Sequence, residues 1–119
     1  MRQPVKIELE GIEHQLLPTF DAYANIEGRC GALRSLYQRV MTGQVTLVEM
    51  GIIVAEGMKA NGVKNVDEKA AQLRLFATGP FSDPVIEALG HFIAALGWTP
   101  EQKKKLDELI AAQEAATLT

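Results

Sequence analysis

The chain has few of the residues on which common functional sites depend. Its 119 residues include one cysteine, Cys30, so neither an internal disulfide nor a metal site built from several cysteines can form. A lone cysteine is also typical of a protein that stays in a reducing compartment. Two histidines are present, His14 and His91, and neither has a second ligand at metal-binding spacing. We therefore expect no metal and no other cofactor, with both histidines in structural or surface positions.

Long apolar runs and an excess of positive charge are also missing. The longest apolar stretch, Met50 to Ala55, is far shorter than the roughly 20 residues that a helix needs to cross a membrane. The net charge of −3 disfavours a broad nucleic-acid surface, which requires clustered positive charge. The first residues, Met1 to Pro4, do not resemble a signal peptide. We expect no nucleic-acid or membrane partner and a cytoplasmic location.

Cys30 is the one residue that could act as a nucleophile by type, but its surroundings do not favour catalysis. Arg29 beside it could favour a thiolate, yet no histidine base accompanies it. A buried thiol is the simpler interpretation. The segment 28–31 also lacks the Gly-Lys-Ser/Thr of a phosphate-binding loop.

Two groups of charged residues have structural interpretations. Three carboxylates fall on a predicted hairpin, where a solvated face is expected rather than the enclosed cleft of an acid–base pair: Glu8, Glu10 and Glu13. The lysine run 103–105 lies at the start of a predicted helix and precedes two acidic residues. This pattern is typical of a solvated helix face and is only a weak indication of nucleic-acid binding. We therefore predict no catalytic residues and a protein that is not an enzyme.

The N-terminal segment has the pattern of a β-hairpin. Residues 5–10 alternate between apolar and charged side chains, as a half-buried strand does, and Gly11 supplies a turn. Residues 12–17 are predicted to form the returning strand. Because an isolated hairpin is marginal in water, its apolar face must pack on helices or on the sheet of another copy.

Cap signals and apolar spacing predict helices over the rest of the chain. Thr19 and Asp67 are predicted N-caps, Thr46 with Glu49 forms a capping box, and Thr99 begins a second box. Asp83 is a predicted cap before Pro84. The predicted segments of this single domain, residues 1–119, are the hairpin 4–17, core helices over 20–60, helices over 67–97 and a C-terminal helix over 99–114. The fold class is α+β, mainly α, with an N-terminal β-hairpin packed on five or six short helices.

The apolar residues assign faces to these helices. The helix from Leu47 to Ala60 is apolar on several sides, which indicates a central helix, and Gly51 and Gly57 within it either permit close contacts or are tolerated. The predicted apolar stripes of other helices include Phe20, Tyr23 and Ala24; Leu33, Leu36, Tyr37, Val40 and Met41; and Ala70, Ala71, Leu73, Leu75 and Phe76.

One stretch carries a family resemblance. After the hairpin come Leu-Leu-Pro-Thr-Phe-Asp-Ala-Tyr-Ala-Asn-Ile-Glu over 16–27, then Leu33-x-x-Leu36, then Thr-Gly-Gln-Val-Thr-Leu over 42–47. This order resembles the tail assembly chaperones of siphophages and gene transfer agents over the first half of the chain. The resemblance implies a protein that binds the tape measure protein, keeps it soluble and leaves before the particle is finished. The major tail tube protein and a second copy of the chain are further candidate partners.

The C-terminal helix has a narrow apolar stripe that faces either the domain core or another protein. The candidate partner-binding residues are Phe81, Trp98, Leu106, Leu109 and Ile110. Two other functions stay open. One is a structural head–tail or tail component retained in the particle. The other is a helical DNA-binding regulator built on the helix pair 33–41 and 47–58, although its second helix has almost no basic face.

Overall fold

The computed structural model describes the backbone of residues 3–118 and their side chains, apart from those of residues 100, 103, 106, 114, 117 and 118. Two strands precede six helices in this part of the chain: β1 Val5–Leu9, β2 Ile12–Leu16, α1 Phe20–Cys30, α2 Leu33–Met41, α3 Leu47–Ala60, α4 Glu68–Thr78, α5 Asp83–Gly97 and α6 Pro100–Leu118. The predicted α+β, mainly α fold is confirmed.

The hairpin packs on the helices through one face. β1 and β2 pair antiparallel, with Leu9 opposite Ile12 and Val5 opposite Leu16. Directly paired residues lie on the same face of a sheet. Ile7, Leu9 and Leu16 on the inner face are buried, and β1 lies against α4 and α5 while β2 lies against α3. The hairpin therefore packs on the helices of its own chain.

Both ends of the hairpin are fixed to helices by hydrogen bonds. At the turn, Glu10 and Gly11 have φ of 52° and 78°, as a two-residue turn with the right-handed twist of its strands requires. The backbone N–H of Glu10 donates to Oγ1 of Thr78, at the end of α4, over 2.8 Å. At the other end, the N–H of Leu17 donates to the carbonyl oxygen of Gly57 in α3 over 3.0 Å.

α3 is the central helix, as predicted. The capping box of Thr46 and Glu49 begins it, and the described residues from Met50 to Gly57 are all buried. The two glycines lie where neighbouring elements come close. A Cβ on Gly57 would lie 2.7 Å from Cβ of Leu16, and one on Gly51 would lie 2.6 Å from a side-chain carbon of α4. Close contact is therefore the reason for glycine at both positions.

The buried face of α1 differs from the predicted one. Thr19 caps the helix as expected, because its hydroxyl accepts the N–H of Ala22 over 3.1 Å. Phe20, however, is 73% exposed, and the residues that face the core are Ala22, Ile26 and Cys30. These residues recur every four positions, so they form one face, and small side chains there bring the helix close to α3.

α4 shows a similar correction. Its buried residues are Ala71 and Leu75, one turn apart, whereas Leu73 and Phe76 are each 62% exposed. α4 packs closely on α3 at Gly51. The core therefore covers only the narrow face of α4 that carries Ala71 and Leu75. The predicted cap Asp67 is confirmed, since its carboxylate accepts the N–H of Lys69 over 3.0 Å.

α5 and α6 follow in sequence but differ in burial. α5 is covered by α2 and β1 and buries Leu89, Phe92 and Ile93. It starts at Asp83, so Ser82 and not Asp83 holds the cap position. α6 begins with the predicted capping box, in which Thr99 and Gln102 exchange hydrogen bonds of 3.0 and 3.2 Å. It continues to residue 118 because no glycine or proline interrupts its alanine-rich end.

Candidate protein-interaction site

An open groove of about 550 Å³ lies between α2 and α6. Its walls combine aromatic, aliphatic, amide and cationic side chains. The lining residues are Arg34, Tyr37, Gln38, Trp98, Gln102, Lys105, Leu109, Ile110 and Gln113. The groove is therefore built by two helices that are about 60 residues apart in the sequence, together with the residue that follows α5.

Tyr37 and Trp98 form the aromatic part of the groove. Their ring centroids are 5.3 Å apart and the ring planes are inclined by 57°, a tilted arrangement that aromatic pairs favour. The backbone N–H of Trp98 donates to the carbonyl oxygen of Ala94 over 2.8 Å, which holds the residue at the end of α5. Trp98 is half-buried, so part of its ring is already supported by the core.

A hydrogen bond from Tyr37 ties the two walls together. Its hydroxyl donates to Oδ1 of Asp107 in α6 over 3.0 Å. Two effects raise the pKa of Tyr37 to about 12. Burial is the larger one, and the neighbouring carboxylate of Asp107 is the smaller. The phenol therefore stays protonated, and able to donate, throughout the range in which proteins are normally handled.

α6 presents most of its surface to solvent. Among its described side chains, Ile110 is the one that is partly buried, and it packs on the core. Leu109 beside it is 67% exposed. A large aliphatic side chain at the rim of an aromatic groove is available to a partner.

The charge of the groove opposes that of the whole chain. Arg34 and Lys105 line it, and neither makes an ion pair among the described residues. The described lining residues include no carboxylate, although Asp107 accepts the hydrogen bond of Tyr37 beside them. The chain as a whole carries a net charge of −3. The groove therefore favours a ligand with apolar and acidic groups side by side.

The structure separates the predicted partner-binding residues into two groups. Trp98, Leu109 and Ile110 meet in the groove. Phe81 is 59% exposed but precedes α5, whereas Trp98 follows it. These two residues are separated by a helix of 15 residues, or about 22 Å. The side chain of Leu106 lies outside the described residues.

Sequence patterns did not indicate the α2 wall of the groove. Arg34, Tyr37 and Gln38 recur at helical spacing, which could have predicted a mixed polar and aromatic face. The apolar stripe of α2 predicts Tyr37 in the core instead, and the residue is indeed only 2% exposed. Tyr37 is therefore both a core residue and one of the residues that line the groove.

The remaining candidates lie apart from the groove. Cys30 is buried, and burial followed by the charge of Glu49 raises the pKa of its thiol. His91 is exposed, and His14 is half-buried on the inner face of the hairpin. Lys104 is exposed, and the side chain of Lys103 lies outside the described residues. Among the described residues no cluster of three or more His, Cys, Asp or Glu could hold a metal ion, and no helix is both long and apolar enough to cross a membrane.

Comparison with known proteins places the chain in a family. The profile of the family described as phage tail tube protein, GTA-gp10, matches residues 2–95, well over half of the chain. The chain belongs to this family. It therefore has a role connected with the tail of a phage or gene transfer agent. No curated protein and no solved structure matches the chain. The family match ends before Trp98 and α6, so one wall of the groove lies beyond it.

Proposed function

We propose that this member of the tail tube protein family is a non-enzymatic tail assembly chaperone that binds the tape measure protein in the cytoplasm of the producing cell. It assists assembly of the tail tube and leaves before the particle is complete. The groove between α2 and α6 is the observation that carries this proposal. It joins an aromatic floor to an exposed leucine on a helix that is mostly solvated.

The groove suits a helical partner. Amphipathic helices bind in grooves through apolar residues spaced one turn apart, with polar residues at the rim. Trp98 and Leu109 offer the apolar contacts, with the buried Tyr37 packed against Trp98, and the amide and cationic groups offer the rim. A long helical tape measure protein would present many such apolar stripes, which aggregate when left uncovered. Several copies of a small domain on one rod would gain affinity through multivalency.

Co-expression with the tape measure protein from the same gene cluster tests the proposal. The tape measure protein should become soluble and co-purify with this chain. Leu109→Asp should weaken the complex by more than about tenfold, because a charge would enter the apolar contact. Leu73→Asp, on the outer face of α4, is a matched control since Leu73 is similarly exposed at 62%. No complex, or equal loss with both variants, would reject binding through the groove.

The family description favours a second candidate function. A tail tube protein is a structural component that stays in the particle, and the matched family carries that description. Mass spectrometry of purified particles distinguishes the two functions. A departing chaperone should be absent or far below stoichiometry, whereas a retained component should be present in a fixed ratio to the other tail proteins.

A further inference from the structure

The two walls of the groove are supported differently. α2 is built into the core, where its residues Leu33, Leu36 and Val40 are buried. α6 lies at the surface, and Ile110 is the one among its described side chains that is partly buried. Because the α2 wall is fixed by the core, the shape of the groove depends on how α6 is held against it.

The contact at Ile110 has a different neighbour on each side. In a helix each residue is rotated by about 100° from the one before it. Leu109 therefore lies about 100° from Ile110 in one direction, and Asp107 lies about 60° from it in the other. Leu109 is among the described residues that line the groove, whereas Asp107 is not. Asp107 is thus placed to hold α6 without occupying the surface that a partner would contact.

Tyr37 contacts the chain at both ends of the segment 98–107. Its ring packs on Trp98, with the centroids 5.3 Å apart, and its hydroxyl donates to Oδ1 of Asp107 over 3.0 Å. Trp98 comes just before α6, and Asp107 lies about 10 Å along the helix from its first residue, Pro100. Tyr37 itself is only 2% exposed. A side chain whose position is set by the core therefore meets α6 and its approach at two separate points.

We infer that Asp107 is a positioning residue of the groove. Through its hydrogen bond with Tyr37 it fixes the rotation of α6 about its own axis, and it thereby presets the distance between Leu109 and Trp98. It acts through Tyr37 and does not contact the partner. The effect on binding rests on the proposed function, whereas the effect on α6 concerns this protein alone.

A small rotation of α6 is enough to change the groove. Side chains extend about 5 Å from the axis of a helix, so a rotation of about 20° moves them by about 2 Å. This displacement is about half of the ~4 Å at which apolar side chains are in contact. When a site has its binding shape for only a fraction of the time, the apparent affinity falls by that fraction. Preorganisation by Asp107 therefore raises the affinity without adding a contact to the partner.

Distances between spin labels on the two helices test the positioning directly. The labels are attached at Ser35→Cys in α2 and Ala112→Cys in α6, both exposed positions, in a Cys30→Ala background. We expect one narrow distribution of distances in this parent protein. Tyr37→Phe and Asp107→Leu should each broaden or shift the distribution, because each removes the hydrogen bond. Asp107→Asn should keep it narrow, since the amide oxygen still accepts.

Matched controls remove the same chemical groups elsewhere. Tyr23→Phe removes a phenolic hydroxyl from α1, and Glu108→Leu removes an exposed carboxylate from the position next to Asp107. Neither substitution should change the distances, and circular dichroism checks that each variant is folded. Distances that stay unchanged in both Tyr37→Phe and Asp107→Leu would overturn the inference, as would equal broadening in Glu108→Leu.

Binding of the tape measure protein from the same gene cluster tests the consequence for affinity. Tyr37→Phe and Asp107→Leu should each weaken binding by about three- to tenfold, whereas Asp107→Asn should bind like the parent. The double variant should be no weaker than either single one, because all three lack the same bond.

The outcomes separate the inference from the proposed function. Additive losses in the double variant would mean that Asp107 contacts the partner itself, which overturns its positioning role. A parent protein that does not bind the tape measure protein would reject the proposed function, and the spin-label distances would still decide the role of Asp107.

Discussion

The guanidinium of Arg39 in α2 and the carboxylate of Glu49 in α3 form an ion pair of 2.7 Å. A second nitrogen of Arg39 donates to the carbonyl oxygen of Cys30, at the end of α1, over 2.9 Å. Glu49 also accepts the backbone N–H of Thr46 over 3.0 Å in the capping box of α3. One arginine thus joins the ends of three helices and satisfies a carbonyl that α1 leaves without a helical partner.

Removing this arginine should destabilise the fold. Arg39→Met keeps much of the side-chain volume but removes both contacts, so we expect the free energy of unfolding to fall by about 1–2 kcal/mol. Arg74→Met, at an exposed position of α4, should change it by less than about 0.5 kcal/mol. Urea unfolding measures both. Equal effects of the two substitutions would show that the three-helix contact contributes nothing specific.

Substitution of two helical glycines by alanine should change the stability of the protein in opposite directions. Nothing lies within 4 Å of a Cβ added to Gly28, so Gly28→Ala should stabilise α1 by about 0.5–1 kcal/mol through helix propensity. At Gly57 the new Cβ would lie 2.7 Å from Cβ of Leu16 and 3.1 Å from Cζ of Phe92. Gly57→Ala should therefore destabilise the protein by about 1–3 kcal/mol, since the hairpin must move.

Thermal unfolding of the two variants compares these effects directly. Stabilisation by Gly57→Ala would mean that β2 moves away from α3 without loss, contrary to the close packing described above. Each variant serves as the control for the other, because the added atoms are the same.

Local signals in the sequence were enough to predict the elements and several helix starts. Thr19, Asp67 and the box of Thr46 with Glu49 act within three residues of the helix that they begin. Capping chemistry of this kind does not depend on the rest of the fold. The burial of α3 was also predictable, since a helix that is apolar on several sides can be satisfied only at the centre of a domain.

The faces of the amphipathic helices were harder to predict, because distant elements decide which side is covered. In α1, Ile26 faces the core and Phe20 does not, because the neighbouring helices cover the side that carries Ala22, Ile26 and Cys30. The groove depended on the pairing of Tyr37 with Trp98 and with Asp107, which lie 61 and 70 positions away in the sequence. No periodic pattern within one helix contains that information.

The burial of Cys30 predicts a slow reaction with thiol reagents. The residue is 8% exposed, and burial, followed by the negative charge of Glu49, raises the pKa of its thiol. Because the thiolate is the reactive form, modification of the native protein at mildly alkaline pH should be at least about tenfold slower than in urea. A colorimetric thiol assay measures both rates. Equal rates would show that Cys30 is accessible and that α1 opens readily at its end.

The bond between Tyr37 and Asp107 predicts how stability depends on pH. The pKa of the Tyr37 phenol is about 12 in the folded protein. A tyrosine in an unfolded chain has a pKa of about 10. The contribution of Tyr37 is therefore fully present below about pH 10 and is lost as pH rises toward about 12, with a size of about 3 kcal/mol. In a Tyr23→Phe background, where Tyr37 is the remaining tyrosine, tyrosinate absorbance follows this titration.

Asp107→Asn should lower the pKa of Tyr37 only part of the way, because burial is the larger cause. A midpoint near 10 in the parent protein would mean that the phenol is solvated and that α6 does not close this side of the groove.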